Sequence, residues 1–452
     1  MRKRVWLDRL LSLTHLEQTK ARGGNDGLVI SGGGSRASFQ LGALRYLYDN
    51  CGITPTRIVG TSAGSIVGSM LAQSMDPAEQ SEYLGKLEEC WLAMSEPSEM
   101  FTEQAWFARF KDQWSEIADV MPEQEEPEVL FVDGEQSDSE ALVKEALDFD
   151  PSDNNDFNLS MAFHLLGSLG RIGKVGAGLA TSWRGAERAA SAYRPGPIVH
   201  RLLFETGFSP EAVRTSGVEL RLAMVGLNSG ELHFMRQDGI LVDTEDQPIR
   251  DQTSELTLGI WASCSIPGVF RPIRIGEELY VDGGVRENVP VEMAVSKLGA
   301  TKPYVIVSSP PGAAIPRLEA RDIVSIMLRS LTILFDEAIQ DEVAWARHSG
   351  AVVIEPLISV HGPMDVDNGL LRINRDYGWM RAAEVITGAE PGTTGAIVEA
   401  RMALWRELNA NVDARTIKKA RKELRAAIKG VDSQLLPEGH QDWPEETWPR
   451  TS

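Results

Sequence analysis

The apolar positions of the chain follow two rhythms. Short continuous runs at Leu28–Ser31, Ile58–Val59, Val218–Leu227, Tyr304–Ser308 and Ala351–Ile354 have the length and composition of buried strands. Leu232–Met235 and Glu278–Asp282 read as two more. Between them stand segments with helical spacing: Phe39, Leu41, Leu44, Leu47 and Tyr48 in one, and Ile66, Val67, Met70 and Leu71 in another. Helices are also expected over Pro77–Ser95, Met100–Val120, Leu256–Cys264, Val324–Phe335 and Arg375–Thr387. Strand alternating with helix predicts an α/β fold around a mostly parallel sheet. Gly395–Gly430 reads as a final helical tail, basic at Lys418, Lys419, Arg421, Lys422 and Arg425, and the polar residues after it are expected to fray.

Two of the strand-to-helix turns have unusual chemistry. The run Ile58-Val59 leads into Gly60-Thr61-Ser62-Ala63-Gly64 and then into an apolar helix. Gly-x-Ser-x-Gly between strand and helix is the pattern of a nucleophile elbow, which projects a serine at the positive end of a helix. The first strand ends in Gly32-Gly33-Gly34-Ser35-Arg36, again before a helix. Gly32-x-Gly34-x-x-Ala37 formally fits a dinucleotide fingerprint. However, the acid expected about twenty residues on is missing, because the second strand runs into the serine turn. A nucleotide-cradling P-loop is excluded by the lack of a Lys-Ser/Thr pair. An oxyanion hole, with glycine N–H groups aimed at developing negative charge beside a nucleophilic serine, accounts for both turns together.

A serine nucleophile needs a base. Of the histidines, His348 and His361 flank the late strand at Ala351–Ile354 and are weak candidates; His233 lies within a strand. Asp282 is the better one. It ends the Leu-Tyr-Val strand, where open α/β sheets keep their sites, and Gly283 and Gly284 leave room for another group to approach. A partly desolvated carboxylate can take the serine proton directly. Asp-Gly alone is also a common turn.

The net charge of −20 over 452 residues argues against nucleic acid as a partner. Much of it sits in Glu123–Asp156, where Lys144 is the one base. That stretch reads as a solvated acidic loop without calcium-loop spacing. Phe157–Tyr193 is apolar, Gly-rich and cationic, suited to a cap helix or to transient contact with a lipid surface. Three scattered cysteines, Cys51, Cys90 and Cys264, offer neither a zinc spacing nor a disulfide framework, which suits a reducing cytosol. The basic N-terminus is broken by Asp8 and Arg9 and is read as a short helix rather than a signal peptide. No metal or cofactor is expected.

Gly32-Gly33-Gly34-Ser35-Arg36, Gly60-Thr61-Ser62-Ala63-Gly64 and Asp282-Gly283-Gly284, in this order, resemble the motifs of the patatin-like phospholipase family. The resemblance extends to Ala262-Ser263-Cys264-Ser265-Ile266-Pro267-Gly268-Val269-Phe270, to Asn288-x-Pro290, and to Tyr377-Gly378-Trp379 with Arg381-Ala382. It covers about Gly27–Ala93 and Pro197–Ile386; Ala37 stands where a glycine is usual. It implies a three-layer α/β/α fold and a Ser–Asp dyad without catalytic histidine. Ser62 would be the nucleophile and Asp282 its base. Gly32, Gly33, Gly34 and the Ala63 N–H would form the oxyanion hole, with Arg36 in the family's basic position. Gly60, Gly64, Gly283 and Gly284 would support the motifs.

The expected domains are an N-terminal segment over 1–26, a catalytic domain over 27–390 with an insertion at 96–196 and its acidic loop at 122–156, and a tail over 391–452. The expected activity is hydrolysis of fatty-acyl esters of glycerolipids through an acyl-enzyme, in the cytoplasm with peripheral membrane contact. A transacylase of the same mechanism and a regulated membrane-binding protein with little turnover are the alternatives.

Overall fold

The computed structural model describes residues 26–105, 107–108, 191–249, 253–312, 323–410 and 412–447. The N-terminal segment, the acidic loop and nearly all of Phe157–Tyr193 therefore lie outside the described residues. The chain divides into two compact units: Met1–Thr102 with Tyr193–Ser452, and Glu103–Ala192. In the second unit, the Gln104 N–H donates to the Ala192 carbonyl at 2.9 Å.

The first unit opens with β1 (Asp26–Ile30), α1 (Ala37–Tyr46), β2 (Pro55–Thr61), α2 (Ala63–Leu71) and α3 (Pro77–Leu92). Then follow β3 (Phe101–Glu103), β4 (Tyr193–Pro195), β5 (Glu219–Gly226), β6 (Leu232–Arg236), β7 (Leu241–Val242), α4 (Leu256–Ser263), β8 (Ile273–Ile275), β9 (Glu278–Asp282) and β10 (Lys302–Ile306). The last elements are α5 (Ile323–His348), β11 (Val352–Ile354), α6 (Asn368–Thr387), α7 (Gly395–Asn409) and α8 (Ala414–Lys429). Among the described residues no helix is long and apolar enough to cross a membrane.

Nine strands form the central sheet, in the order β11-β10-β1-β2-β5-β6-β7, with β9 on β5 and β8 on β9. The pairs from β11 through β5 are parallel, and β6, β7, β8 and β9 join antiparallel. The parallel strands are apolar on both faces because both are covered. Strand alternation sends Leu28, Ile30, Ile58, Leu220, Leu222, Tyr304 and Ile306 into one core, shared with α1, α2, α3, α6 and α7. Their neighbours Val29, Val59, Ala223, Val225 and Val305 enter a second core with Val289, Val291, Val343 and Ala346. The result is the three-layer arrangement expected of the sequence.

Three local expectations change. The helix read from Met100 begins instead with β3, whose partner β4 lies some ninety positions on, so local periodicity could not reveal it. The helical tail over Gly395–Gly430 is made of two helices, because Asp413 accepts from the N–H groups of Arg415 (2.7 Å) and Thr416 (3.1 Å) and so starts a new one. The end of the chain is packed as far as residue 447: Leu435, Leu436 and Trp443 are buried, and the Arg401 guanidinium lies 4.0 Å above the Trp443 ring.

Candidate active site

The register around β5 brings the two strand-end residues together. β2 runs parallel to β5 and stops with Thr61 opposite Ala223. β9 runs antiparallel and stops with Asp282 opposite Met224, the next residue along β5. Both must lie on the same side of β5, since β6 occupies the other side from Arg221 to Val225. β2 and β9 thus approach head to head, and the residue after Thr61 is Ser62.

Ser62 has φ 53° and ψ −127°. Among the described residues it shares a positive φ outside glycine only with Asp246. Such a backbone is strained and persists only where its surroundings over-determine it. Those surroundings are visible. The Ser62 N–H donates to Ser263 Oγ at 3.1 Å, and its carbonyl accepts from the Ser65 N–H at 2.8 Å and from Cys264 Sγ at 3.1 Å. The hydroxyl protons in this group have one consistent order. Ser65 Oγ donates to the Gly60 carbonyl (3.0 Å), so Ser263 Oγ donates to Ser65 Oγ (2.7 Å) and keeps a lone pair for the Ser62 N–H. Gly64 permits the close packing of α2, because a Cβ there would overlap the Ile30 carbonyl.

Asp282 is 5% exposed. Burial pushes its carboxyl up to about 6; hydrogen bonds from the Ser62 side chain and from the Gly284 N–H (2.8 Å) oppose the shift. Its own N–H donates to the Ser265 carbonyl at 3.0 Å. The segment Ser263–Ser265 therefore touches both Ser62 and Asp282. Gly283 opens the short turn that follows the aspartate. Cys264 is held well above its usual thiol range, first by burial and then by the Asp282 charge.

The glycine loop lies against the same point, and a Cβ on Gly32 would meet Ser62 Cβ at 3.0 Å. Gly32 itself has a different part from the one expected. Its N–H is taken by Asn288 Oδ1 at 2.8 Å, so it anchors the loop instead of offering a donor. The Gly33 and Gly34 N–H groups have no acceptor among the described residues. Gly34 turns the chain with φ 56°. The Ala63 N–H, in the first turn of α2, is an orphan donor by helix geometry. Trp91 Nε1 holds the Ser35 carbonyl at 3.1 Å, and the Ser35 N–H donates to Pro363 at 2.9 Å. Arg36 Nε donates to the His361 carbonyl at 2.8 Å and braces the loop from behind.

Among the described residues no histidine bonds to Ser62 or Asp282. His361 Nδ1 lies 2.8 Å from the Gly362 carbonyl and 3.5 Å from Ser35 Oγ, and burial lowers the pKa of its ring. His233 Nδ1 meets the Tyr280 hydroxyl at 3.0 Å. No metal-holding group of His, Cys, Asp and Glu occurs among the described residues. Ser65, Ser263 and Asn288 were not assigned roles from the sequence. Ala262-Ser263 and Asn288-x-Pro290 are visible as motifs, but their contacts to Ser62 and Gly32 span 201 and 256 positions.

The family model described as patatin-like phospholipase matches residues 28–295, more than half of the chain. VipD from Legionella pneumophila is similar at 14% identity, covering 90% of this chain and 80% of its own, with a TM-score of 0.34. ExoU, in its heterodimeric complex with SpcU from Pseudomonas aeruginosa, is similar at 15% identity, covering 93% and 68%, with a TM-score of 0.24. A search of curated proteins gives no match. With its mixed sheet, serine turn and strand-end aspartate, the chain belongs to the patatin-like phospholipase family, a family of lipid acyl hydrolases.

Proposed function

We propose that the protein hydrolyses fatty-acyl esters of glycerolipids through Ser62 and Asp282. The observation that supports this most is the head-to-head approach of β2 and β9 along β5, which sets a strained serine against a buried carboxylate without a cation. Asp282 takes the Ser62 proton as Oγ attacks the ester carbonyl. The resulting oxyanion is stabilised by the N–H groups of Gly33, Gly34 and Ala63 and by the positive ends of α1 and α2. Collapse of the tetrahedral intermediate breaks the ester C–O bond, and the alcohol leaves with the proton from Asp282. Water, deprotonated by Asp282, then attacks the acyl-serine and releases the fatty acid.

The burial of Asp282 suits this role. A carboxyl near 6 is still ionised at neutral pH yet more basic than a solvated aspartate. A fluorophosphonate probe tests the assignment: wild-type protein is labelled, and Ser62→Ala loses both the label and hydrolysis by about 10⁴-fold or more. Labelling that survives the substitution would remove Ser62 as nucleophile.

A further inference from the structure

The chain is strongly acidic, yet α8 is the reverse. Ala414–Lys429 contains Arg415, Lys418, Lys419, Arg421, Lys422, Arg425 and Lys429 against one acid, Glu423. Its apolar side is committed to the fold. Ala420 and Leu424 are buried, and Ile417, Ala427 and Ile428 pack against the main core. The charges are not spread evenly over the rest. Arg415, Lys418, Lys422, Arg425 and Lys429 recur at steps of three and four, which places them in one stripe along the helix. All five are exposed. Arg425 pairs with Glu445, and Arg421 lies 3.5 Å from the same carboxylate. Lys419 sits beside the stripe, 3.7 Å from Glu423. Arg415, Lys418, Lys422 and Lys429 have no acidic partner among the described residues.

A row of five cations along about 21 Å of helix, four of them without an acidic partner among the described residues, is unfavourable in isolation and favours a surface of opposite sign. A flat anionic surface is the match, because a straight stripe presents every charge to it at once. We propose that this face of α8 docks the protein on the anionic headgroups of a phospholipid bilayer. The proposal deepens the hydrolase reading, since an enzyme for glycerolipid esters meets its substrate in such a surface. With its apolar side buried, α8 adheres by charge and does not insert. The net charge of −20 opposes approach to the same surface, so contact depends on ionic strength. At about 0.1 M salt, screening over ~10 Å leaves charges that touch the surface effective and weakens those held farther from it. At about 1 M salt the stripe is screened as well.

The test is co-sedimentation of the full chain with vesicles of phosphatidylcholine containing about one-third phosphatidylglycerol, at about 0.1 M salt. Each neutralised lysine is expected to weaken binding roughly fivefold, so Lys418→Gln, Lys422→Gln and Lys429→Gln together weaken it about 100-fold. A control triple variant, Lys86→Gln, Arg214→Gln and Arg274→Gln, removes the same charge elsewhere and is expected to bind within about threefold of wild type. Equal loss in both triples, or none in the first, overturns the proposal. So does tighter, lysine-dependent binding to a single-stranded oligonucleotide than to the vesicles. Hydrolysis of a soluble short-chain ester by the first triple is expected to equal wild type. An inactive wild type with lysine-dependent vesicle binding would sink the hydrolase reading and leave the docking surface standing.

Discussion

Two aspartates are buried to the same degree, Asp282 at 5% and Asp376 at 4% exposure, and the fold treats them in opposite ways. Asp376 faces a cation: Arg401 Nη1 lies 2.6 Å from it, and the other arm of that guanidinium reaches Glu446 at 2.8 Å. Arg401 is fully buried and stacks on Trp443, so the group ties α6, α7 and the end of the chain into one structural cluster. Asp282 has only neutral donors, a hydroxyl and an amide. A base must keep some appetite for a proton, and a neighbouring arginine would remove it. What separates the proposed base from a structural carboxylate here is the charge of its neighbours rather than its depth.

That contrast can be broken most forcefully at Asp282. Asp282→Asn is expected to lower kcat/KM by about 10³-fold. It is also expected to raise stability at neutral pH by up to roughly 3 kcal/mol, because a carboxylate ionised against its surroundings is removed. The folded-state value of about 6 lies above the ordinary 3.8, so the penalty is complete above pH 6, fades between 6 and 4, and is absent below. Urea denaturation of both proteins across that range checks the sign. In the wild type, kcat/KM is expected to rise with pH through the same value near 6. A stability gain that persisted at pH 3 would remove the desolvated charge as its cause.

Asp376→Asn is expected to act in the opposite direction, destabilising by roughly 3 kcal/mol as Arg401 loses a buried partner. Below its unfolding temperature the variant is expected to hydrolyse esters at the wild-type rate, which thermal melts and assays at a low temperature would separate. The smallest effect is expected at the neutral shell itself. Ser263→Ala removes the acceptor of the strained Ser62 N–H, and kcat is expected to fall about tenfold with KM within about twofold. Unchanged kcat there would show that α2 and Gly60 hold the turn without help.

Ser62 and Asp282 were legible because each is announced locally, one by glycines around a serine and the other by a strand that stops at an acid. The three-layer sheet was legible for a similar reason, as its parallel strands are short apolar runs that need no partner to be noticed. What escaped was set by contacts that leave no pattern of their own in the sequence. β8 is three residues long and has meaning only as the hairpin partner of β9. Asn288 looked like part of a motif, and nothing nearby says that its side chain holds Gly32. Trp443 stands in a polar stretch, yet it is buried in the main core with the Arg401 guanidinium over its ring.

The opposed ends of β2 and β9 have one more consequence. Their offset is fixed by adjacent rungs on a third strand, Ala223 and Met224, and not by the length of chain that connects them. Evolution could therefore lengthen, shorten or replace the Glu103–Ala192 excursion without retuning the approach of Ser62 and Asp282, since β5 serves as their common ruler.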